Sequence, residues 1–437
     1  MSNRVTDQYL KSATLARAGR EIVLPPAYAE SYEGALLDRP MFAAESEIAT
    51  FADDLASLFG LLVSLPERLF DGDLERYCAA IGMDPRLSRL MRRGGDVAPP
   101  MYARADAYHD GAAFRLLEFN VGSELGGIDA AQINRAYLNV PAFNGFRRRH
   151  RLGYLDTSVR VADALRTAAT AVTGGGDAVV ALIESPGGIA GHESLFMAMR
   201  EAMRINGIEL LLGEIHQLRE RNGKLVLRDV PLDVVLRYFV VGELVDHPAG
   251  LEAVDRVLSA DKTVLFTPLS SGMFASKGSL GLMHDPRTRA SYTAAEAALV
   301  DRIVPWTRSL SRAGDGAELV ERCRAQRETL VLKPGVGYGG VGAVVGHAVS
   351  DERWRTALAE AAGTDHVVQR LVRAVPEEVV NPDTGGVEQW ITNWGVFVDN
   401  AGYAGSFGRA LKVHDGPVVS GGHGARTTCV FTDPGAP

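Results

Sequence analysis

Glycine dominates one short stretch late in the chain, LVLKPGVGYGGVGAVVG at residues 330–346, and this pattern restricts the choice of folds more than any other. An apolar run delivers Lys333, a glycine-rich loop follows, and a second apolar run returns, which predicts a flexible hairpin. Glycine lets backbone N–H groups approach phosphate oxygens without an intervening Cβ, and a lysine at the loop edge adds positive charge. The loop glycines are Gly335, Gly337, Gly339, Gly340 and Gly342.

Two common phosphate-binding loops do not match this hairpin. No Gly-Lys-Ser/Thr follows the first glycine at the spacing of a P-loop, and the loop returns as a strand instead of opening a helix. Two interpretations remain: a hairpin that closes over a nucleotide, and an ordinary glycine-rich hairpin.

A second informative stretch, RADAYHDGAAFRLLEFN at residues 104–120, predicts two strands joined by a turn at residues 109–111. Residues i and i+2 of a strand share a face, so Glu118 and Asn120 point the same way and Asp106 can reach them from the neighbouring strand. Mg²⁺ bound to phosphates needs oxygen ligands and only one or two protein carboxylates. We therefore predict a Mg²⁺ site at Asp106, Glu118 and Asn120; the alternative is a plain acidic strand end.

A third stretch, DHVVQRLV at residues 365–372, predicts a buried strand. Backbone groups along such a strand can hold the edge of an adenine between apolar walls. The candidates for that role are Val368, Gln369, Arg370 and Leu371, and the alternative is a buried strand with no ligand.

Composition narrows the functional class. The 437 residues are enough for two or three domains, and 46% apolar with 23% charged residues is typical of a globular protein. The net charge of −8 argues against a nucleic-acid partner. We see no signal peptide and no uninterrupted apolar run of about 18 residues, so we expect a cytoplasmic protein without a membrane span. The three cysteines have no metal-binding or redox spacing.

Changes in the sequence pattern along the chain divide it into four predicted segments. Residues 1–99 read as a helical N-terminal region, and residues 100–172 carry the predicted metal-binding segment. Residues 173–265 alternate strand, helix and strand, which predicts an open α/β domain that binds substrate. Within them, Asn222-Gly223 predicts a hairpin with a tight two-residue turn. Residues 266–437 combine strands with glycine-rich turns and would bind the nucleotide. We therefore expect a mixed α/β (α+β) fold.

The three motifs and their order resemble the circularly permuted ATP-grasp ligases, a family similar to the synthetase part of glutathionylspermidine synthase and to peptide ligases of natural-product pathways. There the Asp…Glu-x-Asn segment comes early and the nucleotide-binding lysines and glycine loop come late. The resemblance covers roughly residues 100–130 and 265–432, with a looser match over 175–265. It implies an ATP-grasp fold with ATP and Mg²⁺ as cofactors.

The resemblance also implies residue roles. Lys277, in SSGMFASKGSLGLM, matches an ATP-contacting lysine, and Arg409, in GYAGSFGRALK, matches an arginine that meets the terminal phosphate and the acyl phosphate. We expect catalysis to involve Arg409, Lys333 and Arg237. The nucleotide-binding set is Lys277, Lys333, Gly337, Gly339, Gly340, Gln369, Leu371 and Arg409.

Each candidate substrate-binding residue has two possible interpretations. Arg237 lies among apolar strand residues and either binds a substrate anion or forms a structural ion pair. Arg104 either holds the donor carboxylate or pairs with Glu118.

Ser123 and Glu124 follow the metal-binding segment, where Glu124 could meet an incoming amine. Ser185 and Gly188 lie at a strand-to-helix turn, which either attracts a substrate carboxylate or is a plain turn.

Together these features predict an ATP-dependent carboxylate–amine ligase that works through an acyl phosphate and joins amino acids or peptides in a specialised biosynthetic pathway. An ATP-dependent phosphotransferase and a non-catalytic ATP-binding protein are the alternatives. The partners would be small molecules or peptides, namely a carboxylate and an amine, and the oligomeric state is open.

Overall fold

The computed structural model describes residues 4–95, 98–122, 124–311, 316–337 and 339–435, which form a mixed α/β structure with several β-sheets, as predicted. The helices are α1 (Arg4–Leu10), α2 (Ala18–Glu21), α3 (Pro26–Ser31), α4 (Glu45–Phe70), α5 (Leu74–Ala80), α6 (Pro85–Met91), α7 (Ala131–Leu138), α8 (Pro141–His150), α9 (Thr157–Thr173), α10 (Glu193–Ile205), α11 (Pro248–Ser259), α12 (Ser271–Ala275), α13 (Lys277–Met283), α14 (Pro286–Ala290), α15 (Ala294–Ile303), α16 (Gly316–Ala325) and α17 (Asp351–Ala361).

The strands are β1 (Met41–Ala44), β2 (Tyr102–His109), β3 (Phe114–Val121), β4 (Val180–Glu184), β5 (Leu210–Glu214), β6 (Arg219–Arg221), β7 (Lys224–Leu227), β8 (Val230–Pro231), β9 (Val234–Arg237), β10 (Val264–Phe266), β11 (Thr307–Ser309), β12 (Leu330–Pro334), β13 (Val344–Val345), β14 (His366–Arg370), β15 (Glu377–Val380), β16 (Val387–Asp399), β17 (Gly402–Lys412) and β18 (Arg426–Asp433).

The largest sheet joins early and late parts of the chain. Its strand order is β1-β18-β17-β16-β2-β3, and β15 pairs with the first half of β16. All of its neighbours are antiparallel except β1 and β18. The predicted hairpin of β2 and β3 is therefore hydrogen-bonded to a strand almost 300 positions later.

One face of this sheet packs on the long helix α4, which covers β16 and β17. Phe51 of α4 stacks on Phe114 with ring centroids 5.2 Å apart, and Phe114 meets Trp394 edge-on. By length and composition α4 could cross a membrane, but half of its most apolar window is buried inside the protein. A core helix has the same properties, and Asp53 and Asp54 interrupt its apolar run.

A second sheet is parallel throughout, with the order β10-β9-β4-β5. Its strand–helix–strand unit, β4-α10-β5, is the one predicted for residues 173–265. The predicted tight turn also forms: Asn222 and Gly223 have φ angles of 56° and 85° between β6 and β7. Positive φ at both central residues is what a two-residue hairpin of this type requires.

A third sheet is antiparallel, in the order β11-β14-β12-β13. Val331 pairs with Val345 and Leu332 with Val344, so the glycine-rich stretch is a hairpin, as predicted. Helices α16 and α17 cover one face of this sheet, and Trp354 is completely buried there. Its indole N–H donates to the carbonyl of Cys323 at 3.1 Å, which ties the two helices together.

The first 99 residues are mostly helical, but they also contribute β1, whose residues 41–44 pair with residues 430–433 of β18. A buried ion pair joins the same region to β15: Arg39 donates to Glu377 at 2.8 Å. The N-terminal region is thus continuous with the large sheet. The four-segment division of the chain stays a prediction.

Replacing Trp354 with Ala should lower the free energy of unfolding by about 3–5 kcal/mol, because the change removes a buried aromatic side chain and leaves a cavity. Val387→Ala is the matched control, since Val387 is 58% exposed and its change should stay within about 0.5 kcal/mol. Urea unfolding monitored by circular dichroism measures both. Equal midpoints for the two variants would contradict the assigned core.

Candidate functional site

The face of the large sheet opposite α4 carries a row of polar side chains across four strands. Cross-strand partners point to the same face, and in the register Arg409 lies opposite Asn393, Asp106 opposite Glu118, and Arg104 opposite Asn120. We call this row the site face; its members are Arg104, Asp106, Glu118, Asn120, Asn393 and Arg409. Alternate residues such as Ala105 and Phe119 are buried in the core.

Asp106 is the most heavily contacted carboxylate of the site face. Its Oδ1 accepts from Arg104 Nε at 2.7 Å and from Asn120 Nδ2 at 3.4 Å. Its Oδ2 accepts from Asn393 Nδ2 at 3.3 Å and lies 3.9 Å from Arg409. The close partners of Arg104 are Asp106 and the carbonyl of Gly126, at 2.9 Å, whereas Glu118 acts on it through its charge.

Glu118 lies between two lysines from the late part of the chain. Lys277, at the start of α13, forms a 2.9 Å ion pair with Glu118. Burial alone would raise the pKa of Glu118, but the ion pair with Lys277 and the charges of Lys333 and Arg104 outweigh it and lower that pKa to about 2. Burial lowers the pKa of Lys333 to about 8, although the charge of Glu118 acts in the opposite direction.

Lys333 is held by a fixed set of oxygen atoms. Its Nζ donates to Gln369 Oε1 at 2.7 Å and to the carbonyl of Leu117 at 3.3 Å. Leu117 is the extra residue of a β-bulge, because Asp106 pairs with Glu118 and Ala107 with Leu116. The Gln369 amide also donates to Thr307 at 3.1 Å, so its side chain positions the lysine and is 98% buried.

A cavity of about 450 Å³ lies between the site face, the third sheet and the glycine loop of residues 335–343. Lys277 connects it to that loop, since its backbone N–H donates to the Gly335 carbonyl at 2.8 Å and its Nζ to the Gly337 carbonyl at 3.1 Å. Clefts of 300–1,000 Å³ are typical of small-molecule sites. All six members of the site face line the cavity, as do Lys277, Lys333, Gly337, Gly339, Gly340, Gln369 and Leu371.

Gly340 is required at the far side of the loop. Its φ is +72°, and a Cβ there would lie 2.5 Å from Val418 of the segment between β17 and β18. That segment, residues 417–422, forms another wall of the cavity and was not expected from the sequence. The glycine loop can therefore lie close against the opposite wall.

The charges around the cavity favour an anion. Arg104, Lys277, Lys333 and Arg409 supply four cations against the carboxylates of Asp106 and Glu118. Glu124 also lines the cavity, but its charge is paired with a buried arginine behind the wall. A phosphorylated ligand would offset this positive excess.

The donor set fits a Mg²⁺ ion that shares phosphate ligands. The amide nitrogen of Asn120 donates to Asp106 and to the Arg104 carbonyl, so its oxygen remains an acceptor, and Asn120 lines the same cavity as the two carboxylates. Over the described residues no group of three or more His, Cys, Asp or Glu side chains could hold a metal alone. Two carboxylates and an amide suit an ion completed by phosphate oxygens.

Arg237 takes part in an ion pair behind the cavity wall. It is fully buried, its Nη2 lies 2.6 Å from Glu124 Oε2, and its Nη1 donates to the Phe239 carbonyl at 2.8 Å. Of the two interpretations of this residue, the ion pair is the one observed. Arg237 is not among the described residues that line the cavity, so its geometry supports positioning of Glu124 rather than contact with a reacting group.

The turn after β4 already holds carboxylates of the protein. Glu184 accepts from the backbone N–H of Ser185 at 2.7 Å, and Glu214 accepts from that of Gly187 at 2.9 Å. Neither Ser185 nor Gly188 lines the cavity in the part of the chain that the structure describes. The substrate role suggested for this turn thus gains no support from the geometry, and Ser123 lies outside the described residues.

Asn393 is the site residue that the sequence analysis missed. It lies within WITNWGVF, where Asn393 shares a strand face with Gly395 while Thr392 and Trp394 lie on the other face. This pattern does not mark Asn393 as a site residue until β16 is known to pair with β2.

Comparisons with known proteins show the fold. No protein-family model and no curated protein matches this sequence. The apo structure of a glutathione synthetase-like effector from Globodera pallida aligns with 98% of this chain and 97% of its own, with a TM-score of 0.60 and 13% identity. A gamma-glutamylcysteine synthetase candidate from Methylobacillus flagellatus KT covers 85% and 88% at a TM-score of 0.46 and 15% identity. The chain therefore shares the mixed α/β fold of this glutathione synthetase-like effector.

Proposed function

We propose that this protein is an ATP-dependent carboxylate–amine ligase that forms an amide through an acyl phosphate and releases ADP and phosphate. One observation carries the proposal: Asp106 and Glu118 line the same cavity as Lys277, Lys333 and Arg409, although the two groups are more than 150 residues apart. The glutathione synthetase-like fold supports the same class of reaction.

ATP would bind with its phosphates between the site face and the glycine loop. Lys277 and Lys333 approach this space from α13 and β12, and the loop offers backbone N–H groups free of side chains at its glycines. Gln369, whose side chain holds Lys333, would present only backbone atoms to the adenine. Leu371 would supply an apolar wall.

Mg²⁺ would be held by Asp106, Glu118 and the amide oxygen of Asn120, and when bound it would neutralise phosphate charge. Phosphoryl transfer depends mainly on positioning and charge neutralisation, so the site needs no nucleophilic side chain. The Arg409 guanidinium lies 3.9 Å from Asp106, longer than a direct hydrogen bond, and rests 4.9 Å above the Phe407 ring. This leaves it suited to meet the transferred phosphate.

The reaction would take two steps. A substrate carboxylate oxygen bonds to the γ-phosphorus of ATP while the bond to the β-phosphate oxygen breaks, which gives the acyl phosphate and ADP. An amine nitrogen then bonds to the acyl carbon, phosphate leaves and the nitrogen loses its proton. Glu124, held by Arg237, lies on the cavity wall where it could orient that amine.

Lys333→Met should reduce ADP release by roughly 10²–10³-fold, the effect of removing one preorganised donor to a charged transition state. The assay is an ADP-release screen over pairs of amino acids and small peptides. Lys262→Met is the matched control, because Lys262 is exposed and the only described contact of its side-chain amine is to the Asn222 carbonyl. Full activity in Lys333→Met would contradict the assigned site.

The same screen separates a ligase from a phosphotransferase. A donor acid labelled with ¹⁸O in its carboxylate should pass one labelled oxygen to free phosphate, because the acyl phosphate oxygen leaves with it. A phosphorylated product without free phosphate would favour the phosphotransferase.

ADP affinity should fall as the pH rises through about 8, because Lys333 has a pKa of about 8 and binds phosphate as a cation. Below pH 8 the lysine is charged and affinity is constant; above it, affinity falls by up to about tenfold per pH unit. Calorimetric titration between pH 7 and 9.5 measures this. Lys333→Arg stays charged over the range and should remove the dependence; an unchanged profile in that variant would exclude Lys333 as its source.

A further inference from the structure

The side chain of Asn393 lies in the centre of the site face. It belongs to β16, is 9% exposed, and lies opposite Arg409 on one side. On the other side Gly395 is the register partner of Asp106. Because Gly395 has no side chain, Asn393 can reach Asp106 diagonally across the strand pair.

The contact with Asp106 fixes how the amide is turned. A carboxylate oxygen accepts, so the amide must present Nδ2, which donates to Asp106 Oδ2 at 3.3 Å. Its carbonyl oxygen, Oδ1, then points away and is buried without a hydrogen-bond partner in the described part of the chain. A buried carbonyl without a hydrogen-bond partner lowers the free energy of unfolding. We therefore expect the protein with Asn393 to be no more stable than a variant with an apolar residue at this position.

Asn393 also lies on the strand between those of two opposite charges, Asp106 on β2 and Arg409 on β17. Asp106 Oδ2 lies 3.9 Å from Arg409, longer than the 2.7 Å between Asp106 Oδ1 and Arg104. Without the amide, Asp106 Oδ2 would lose its hydrogen bond from Asn393, and a close charge-assisted pair with Arg409 would replace it. Such a pair would occupy both the carboxylate and the guanidinium.

We propose that Asn393 is a positioning residue for the cation site: it holds Asp106 free for a divalent cation and keeps Arg409 free for phosphate. This inference rests on the proposed function. It predicts that loss of the amide lowers the affinity for the cation but does not lower the stability of the fold. If Asn393 had a purely structural role, its replacement would lower both.

The test compares Asn393→Leu with the wild-type protein in two measurements. One is Mn²⁺ binding in the presence of ADP, followed by the electron paramagnetic resonance signal of free Mn²⁺; the other is the thermal unfolding midpoint without ligands. We expect Mn²⁺ affinity to fall about 10–100-fold, as for other residues that orient a metal-binding carboxylate, and the midpoint to stay at or above that of the wild type.

Thr392→Val is the matched control. Thr392 is the preceding residue of β16, is 2% exposed, and has a buried hydroxyl without a partner among the described residues. As its neighbour in the strand it points to the opposite face. Its replacement should leave Mn²⁺ affinity within twofold of the wild type and should not lower the midpoint.

Each other result overturns the inference. Mn²⁺ affinity within twofold of the wild type in Asn393→Leu would show that the amide does not position Asp106. A midpoint lowered by several degrees, or a variant that fails to fold, would show a structural role. Wild-type protein that binds no Mn²⁺ with ADP would remove the proposed function as well, which distinguishes the two failures.

Discussion

The antiparallel pairing of β2 with β16 is the interaction on which the candidate site depends. It aligns residues 102–107 with residues 394–399, and thereby brings an early acidic hairpin into the same sheet as late strands that carry an arginine and an asparagine. Once the register is set, alternation in the strands fixes which side chains share a face. A shift of one residue would turn Asp106 into the core and Ala105 into the cavity.

The second constraint is electrostatic. Four cations surround two carboxylates, and the arrangement keeps them from neutralising each other completely. Arg104 binds Asp106, Lys277 binds Glu118, and Lys333 is held by neutral oxygens of Gln369 and Leu117. Burial then makes the charged form of Lys333 less stable, which a phosphate in the cavity would reverse. An anion bound in the cavity would therefore complement the positive charge of the site.

Local pattern predicted much of this fold. The β2–β3 hairpin, the glycine hairpin of β12 and β13, the β4-α10-β5 unit and the Asn222-Gly223 turn follow from periodicity and turn chemistry. The role of Lys333 came from the glycine-rich hairpin and those of Lys277 and Arg409 from family resemblance, and all three remain predictions. The features that could not be predicted from the sequence are contacts between residues far apart in the chain. Pairing between β2 and β16, the bulge at Leu117 and the Arg237–Glu124 ion pair depend on contacts between distant segments, which periodicity does not encode.

The central claim is that the early carboxylates and the late lysines act on one bound nucleotide. A crystal structure with a non-hydrolysable ATP analogue and Mn²⁺, with anomalous scattering to locate the metal, tests it most directly. The account predicts phosphates between the site face and Lys277 and Lys333, with an anomalous peak on oxygens of Asp106, Glu118 and Asn120. A nucleotide bound outside this cavity, or phosphates in it with no metal at those three residues, would contradict it.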